Sequence, residues 1–156
     1  MIKNFISNLH NSTKRKYLER MIDNKVICMK EAKKYSKNYW DGDRKFGYGG
    51  YKYIPGRWTG VARKLIKNYN LKSGSKILDV GCGKGFLLFE MLKIIPGLKI
   101  HGFDISSYAI KKNFKIKNLN VFKHKAENKF PYKNRTFDLV ISINTLHNLK
   151  IFELEK

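Results

Sequence analysis

The chain has 156 residues, 42% of them apolar, and its 33 Lys plus Arg against 12 Asp plus Glu give a net charge of +21. That length predicts one domain with room for a core and excludes a multidomain assembly on one chain. No apolar run is long enough for a membrane span, and the first residues lack the apolar region and small-residue cleavage site of a secretory signal, so the expected setting is cytoplasmic.

Lysine carries the charge, with arginine confined to Arg15, Arg20, Arg44, Arg57, Arg63 and Arg135. Lysine spread along every segment reads as a solvated surface, with polyanion binding as the less favoured alternative. Cys28 and Cys82 stand too far apart to form a metal-ligand pair, and His10, His101, His124 and His147 are equally scattered, so no metal site is expected.

Residues 1–11 read as a frayed end. Ser12 or Thr13 can cap a helix whose Tyr17, Leu18, Met21 and Ile22 fall at helical spacing, and a second helix is predicted over residues 25–39 from Val26, Met29, Ala32 and Tyr35. Residues 40–58 then combine glycines with Trp40, Tyr48, Tyr51, Tyr53 and Trp58, which predicts a loop. Three readings are open: a lid in which Tyr48, Tyr51 and Arg57 cover a ligand, an aromatic loop packed on the domain, or a stacking surface for single-stranded nucleic acid, which the Tyr/Lys mixture fits without a fold-level motif. Residues 1–57 are expected to form this helical segment and loop, and residues 58–156 a separate domain. Trp58, Val61, Ala62, Leu65, Ile66 and Tyr69 keep helical spacing and predict a helix over residues 57–69.

The next stretch, KILDVGCGKGFLLFEML at residues 76–92, carries the most chemistry. Ile77, Leu78 and Val80 suit a buried parallel strand, Gly81, Gly83 and Gly85 permit a tight loop with bare backbone N–H groups, and an apolar helix follows until Pro96-Gly97. A P-loop is excluded because Gly83-Lys84 is followed by Gly85 rather than Ser or Thr. A dinucleotide fingerprint would need a small residue at position 86, where Phe86 stands. A second strand over residues 98–103 ends in Asp104, about 20 residues past the glycine loop, where a carboxylate can accept ribose hydroxyls. Ser106 or Ser107 can cap a helix over 108–114, and further strands are predicted at 119–122 and 137–143, then a helix over 145–155.

Asp79-x-Gly81-x-Gly83-x-Gly85, followed at this interval by Asp104, resembles motif I and the second acidic position of the class I S-adenosylmethionine-dependent methyltransferases. The resemblance runs from about Trp58 onward. It implies an α/β, Rossmann-like fold: a mostly parallel sheet with helices on both faces, preceded here by the N-terminal helical segment. It also implies S-adenosylmethionine as cofactor. By the same resemblance, Asp79 binds the amino group of the methionyl moiety and the loop Gly81, Cys82, Gly83 and Gly85 lies against it. Asp104 and Ile105 then meet the ribose side, and Ala126 and Glu127 lie beside the adenine. One position departs from the pattern: Lys125 stands where the family commonly has an acid.

The family's sheet has seven strands in the order 3-2-1-4-5-7-6, and four are legible here, so a C-terminally truncated fold is expected. Its fourth strand would be an open apolar edge for a second copy or a completing partner. The implied activity is methyl transfer, to a small-molecule acceptor by preference. A nucleic-acid acceptor is the alternative, supported by charge alone, and a cofactor-binding inactive remnant is another. His147 is the candidate base, against a plain role in capping or packing the turn it occupies.

Overall fold

The computed structural model describes residues 3–12 and 24–154, and the chain divides into two compact units between Arg57 and Trp58. In the first unit, α1 (Ser7–Asn11) starts where the Asn4 side chain accepts from the Ser7 N–H, so a short helix occupies part of the stretch expected to fray. The helix expected after Ser12 or Thr13 lies outside the described residues. Asn24 caps α2 (Lys25–Ala32) by accepting from the Ile27 N–H. The single helix predicted over 25–39 is two: Tyr35 takes a left-handed φ of 47°, and Ser36 then accepts from the Asn38 N–H to start α3 (Lys37–Asp41).

The unit's small core forms around Trp40, which is 5% exposed. Tyr48 stacks on it at 5.2 Å and 9°, and Tyr51 lies 4.6 Å from Tyr48. The Gly50 and Tyr51 N–H groups both donate to the Trp40 carbonyl, which fixes the aromatic loop against the indole.

The second unit is built on a four-stranded parallel sheet, ordered β3-β2-β1-β4, from β1 (Lys76–Val80), β2 (Lys99–Asp104), β3 (Leu119–Lys123) and β4 (Leu139–Ile141). The register pairs Val80 with Phe103 and Phe103 with Phe122, so these side chains share one face. There Leu78, Val80 and Phe103 are covered by Ala126, Tyr132 and Phe137 from the connection between β3 and β4.

The opposite face takes α5 (Phe86–Ile94), whose Phe86, Leu87, Leu88, Met91 and Leu92 are buried. Ile77, Leu88 and Ile100 have no exposed surface, and each such side chain contributes roughly 1.5–3 kcal/mol by burial. Beside α5 packs α4 (Thr59–Asn68) through the buried Val61, Ala62 and Leu65. The Thr59 hydroxyl donates to the Glu90 carboxylate, and Lys93 Nζ lies 3.4 Å from the same group, which is how Glu90 tolerates 1% exposure. After β2, α6 (Ser107–Lys111) returns on the α5 side, where Phe114 stacks on Phe89 at 4.0 Å.

Strand β4 is shorter than the predicted 137–143. Phe137 turns onto Tyr132, with ring centroids 4.7 Å apart, and Asn144 at φ 57° ends the extended run. The helix predicted over 145–155 is a 3-10 turn, Leu146–Asn148, followed by α7 (Ile151–Leu154). No helix among the described residues is long and apolar enough to cross a membrane.

Candidate functional site

Parallel strands put all their carboxyl ends on one side, and here those ends carry two aspartates and the glycine loop. Asp79 pairs in register with Gly102, and Asp104 stands two residues beyond Gly102, so the carboxylates belong to the same face of adjacent strands. Between them Gly102 leaves room that Cys82 fills: a Cβ on Gly102 would lie 3.0 Å from both Cβ and Sγ of Cys82. Burial pushes the Cys82 thiol well above its ordinary range, with Asp79 and Asp104 adding to the effect. Cys82 therefore packs in the space Gly102 leaves, and burial favours its protonated form.

Gly81, Gly83 and Gly85 take φ of 80°, 55° and 72°, values that favour glycine at all three positions. The Gly81 and Cys82 N–H groups donate to the Phe103 carbonyl at 2.8 and 3.0 Å, tying the loop to the end of β2. Gly81 also has a close neighbour from beyond β4. A Cβ there would lie 2.0 Å from Thr145 Oγ1, while the Ser142 hydroxyl donates to the Val80 carbonyl at 3.1 Å. The exit of β4 therefore reaches over the start of the loop.

The two aspartates are held differently. Asp104 Oδ2 accepts from the Gly83 N–H at 2.9 Å and Oδ1 from the Ser106 N–H at 2.8 Å. Burial raises its pKa, and the two backbone donors pull against that rise. Asp79 is 5% exposed and has no hydrogen-bond donor among the described residues. Its pKa rises to about 7, first through burial and then through the charge of Asp104.

A further polar group stands at the loop's far end. Asn113 Nδ2 donates to the Gly83 carbonyl at 3.3 Å, and its Oδ1 is buried with no partner. That oxygen would lie 2.4 Å from a Cβ on Gly85. Lys84, within the loop, is 5% exposed, with its Nζ 5.7 Å from the Tyr108 ring centre. Sequence reasoning singled out neither Asn113 nor Thr145 as a site residue; nothing in their local spelling marks residues that become neighbours of the loop only when α6 and β4 pack.

Of the residues expected from sequence, Asp79, Gly81, Cys82, Gly83, Gly85 and Asp104 come together, with the half-buried Ile105 at the exit of β2. Ala126 packs against the Leu78, Val80 and Phe103 cluster on the other face. Glu127 pairs with Lys125 at 3.4 Å. His147 is exposed on the turn after β4. Tyr48 and Tyr51 belong to the Trp40 cluster of the first unit, and Arg57 is exposed at its end. No group of His, Cys, Asp and Glu able to hold a metal occurs among the described residues.

These features suit an adenosyl cofactor bearing an ammonium group. Asp79 supplies an acceptor-only carboxylate without an internal partner, Asp104 keeps lone pairs free for hydroxyls beside its two backbone bonds, and the loop offers backbone without side chains. The fold and this donor set define an α/β cofactor-binding domain of the methyltransferase class. A family model described as Methyltransferase domain matches residues 71–154, and the chain belongs to that family, whose methyl donor is S-adenosylmethionine.

Among curated proteins it is 39% identical over 108 residues to Ribosomal RNA small subunit methyltransferase C of Buchnera aphidicola subsp. Cinara cedri, covering 67% of this chain and 30% of that one. It is 25% identical over 135 residues to Ubiquinone biosynthesis O-methyltransferase of Rickettsia bellii, covering 78% and 51%. Among solved structures, a SAM-dependent methyltransferase from Aquifex aeolicus aligns at 30% identity and a TM-score of 0.52, over 62% of this chain and 55% of that one. The chain spans 30% to 55% of the length of these three relatives.

Proposed function

We propose that this chain binds S-adenosylmethionine at the carboxyl ends of β1 and β2 and directs transfer of its methyl group to an acceptor. The observation that carries the reading is the buried Asp79 carboxylate with no donor of its own, beside a loop of three left-handed glycines. When bound, the cofactor supplies a sulfonium-activated methyl carbon. The protein's work is then alignment, which can lower a barrier by roughly 7–11 kcal/mol when the reacting atoms are held in line.

In this reading Asp79 takes the cofactor's ammonium group and gives up its own proton to do so. Asp104, fixed by Gly83 and Ser106, accepts the ribose hydroxyls, with Ile105 beside it. Gly81, Cys82, Gly83 and Gly85 line the methionyl side, and Ala126 and Glu127 the adenine side. Thr145, already over Gly81, orients the end nearest β4. His147, two residues on, is the proposed base for a hydroxyl or amine acceptor. Tyr48, Tyr51 and Arg57 are the proposed lid residues, the two tyrosines carried by the Trp40 cluster.

Calorimetric titration of the purified chain with S-adenosylmethionine tests the proposal. Saturable binding is expected, weakened by about 1.5–3 kcal/mol in Asp104→Ala, the scale for a hydrogen bond to a charged group. Equal affinity in wild type and variant, or tighter binding of NAD, would remove the assignment.

Of the two curated relatives named above, one is a ribosomal RNA methyltransferase and the other a ubiquinone-biosynthesis O-methyltransferase, and sequence reasoning alone prefers a small-molecule acceptor. A second reading, RNA, is favoured by where the charge sits on the second unit.

A further inference from the structure

The lysines that look evenly spread in sequence are not evenly spread around the sheet. Lys111, Lys112, Lys115 and Lys117 lie on the chain that enters edge strand β3, and all four are exposed. Lys123, Lys125, Lys129, Lys133 and Arg135 lie at its end and on the chain that leaves it, and these are exposed as well. Against these nine stands one acid in the same stretch, Glu127, paired with Lys125 at 3.4 Å.

Topology turns this stretch into a surface. The entering chain comes from the α5 side, where Phe114 stacks on Phe89, while the leaving chain covers the other face through Ala126, Tyr132 and Phe137. The cations therefore bracket the open edge of β3 from both faces of the sheet. Burial sharpens the imbalance, because three acids of this unit, Asp79, Glu90 and Asp104, are inside. At the opposite edge, residues 138–154 contribute one lysine, Lys150, against Asp138 and Glu153.

We propose that the β3 edge and its two flanking connections form a docking surface for RNA, held through its phosphate backbone. The proposal rests on the methyl-transfer reading for its biological sense, since it names the acceptor class, but binding can be read without cofactor. Eight of the nine cations are lysines, which meet phosphates as point charges rather than reading base edges as paired forks, so the surface sets position and not sequence. A membrane is disfavoured by the same residues. An interfacial segment needs an apolar helical face, but α6 has five residues, and the exposed apolar ring of the stretch, Phe130, is engaged edge-on with Phe103.

The test uses fluorescence anisotropy of the full chain with a labelled 20-nucleotide single-stranded RNA, without cofactor, from 50 to 200 mM salt. One variant carries Lys111→Gln, Lys115→Gln, Lys117→Gln, Lys129→Gln and Lys133→Gln. A control of equal charge change carries Lys25→Gln, Lys30→Gln, Lys33→Gln, Lys64→Gln and Lys67→Gln, on α2, its C-cap and α4. The first is expected to lose at least tenfold in affinity and to flatten the slope of log K against log salt by about 0.7 for each phosphate it no longer neutralises; the control should stay within about threefold. Replacing the same five β3-side lysines by arginine should retain binding, which separates lost charge from a damaged fold. Equal losses in the two glutamine variants would overturn the proposal, as would absence of RNA binding at 50 mM salt. Tighter binding of a single-stranded DNA of the same length and sequence would do so too. Patch-dependent binding to vesicles of phosphatidylserine and phosphatidylcholine, with RNA binding unaffected by the five substitutions, would replace RNA by a membrane. Loss of S-adenosylmethionine binding with RNA binding intact would count against the methyl-transfer reading and leave the docking surface standing.

Discussion

The ends of β1 and β2 carry the same residue in opposite circumstances. Asp104 is braced by two backbone N–H groups, from Gly83 and Ser106, and serves the free protein as a strut between the glycine loop and the start of α6. Asp79, one strand over, is buried beside it with no donor and a pKa of about 7. The contrast shows that backbone donors offset part of a buried acid's desolvation cost, and that the acid without them is the better receptor for an incoming cation.

The largest effect that would break this contrast is on stability against pH. Asp79 has a folded pKa of about 7 against an ordinary 3.8, so the folded state holds its proton where the unfolded chain has released it. The sign follows: stability associated with this group is present below about pH 4 and is lost as pH rises toward 7, by at most about 4 kcal/mol. Urea unfolding at pH 5 and pH 8 should show about 3 kcal/mol of this loss in the wild type, and Asp79→Asn should remove that part while leaving the part due to Asp104, whose pKa burial also raises. A wild-type chain equally stable at both pH values, with no difference from the variant, would mean that Asp79 is partnered.

Asp104→Ala should move stability the other way. It strands two buried N–H groups and is expected to cost about 1–3 kcal/mol in the same unfolding experiment. If Asp104→Ala stabilises the chain, Asp104 is not a strut.

Cofactor binding should then read the contrast directly. An ammonium group arriving at Asp79 favours the ionised carboxylate, so binding near pH 6.5 should release up to one proton, and affinity should rise by about tenfold between pH 6 and pH 8. Titrations in two buffers of different ionisation enthalpy measure the release, and Asp79→Asn should abolish it. Proton uptake instead of release would contradict the placement of the ammonium.

The smallest effect concerns the strut's anchorage. Ser106 caps α6 through its side chain, accepting from the Ala109 N–H at 3.1 Å, but it holds Asp104 through its backbone. Ser106→Ala should therefore cost about 1 kcal/mol of stability while leaving cofactor affinity within about twofold. A larger loss of affinity would show that the cap also sets the carboxylate's aim.

Much of this was legible in the sequence because it is local. The strand, acid, glycine loop and apolar helix of residues 76–92 occur in one run, and their spacing alone excluded two other nucleotide loops. The interval to Asp104 was equally readable, since a crossover helix fixes it. What could not be read depends on packing between distant segments. Thr145 over Gly81 and the orphaned Oδ1 of Asn113 beside Gly85 arise from how β4 and α6 seat. The different burdens of Asp79 and Asp104 depend on which carboxylate the Gly83 N–H reaches. The break at Tyr35 was hidden because apolar spacing continued through it while the backbone did not. A lysine count along the chain likewise says nothing of which lysines topology gathers at one edge.

At the other edge, β4 joins the sheet through few residues, and the Asp138 N–H donates inward to the Lys76 carbonyl at 2.9 Å. Strand alternation then turns the Leu139 and Ile141 amides outward, although their side chains are buried at 8% exposure each. Hydrogen–deuterium exchange along β4 should follow a two-residue rhythm, slow at Val140 and fast at Leu139 and Ile141, so that the most buried side chains of the strand ride on its least protected amides.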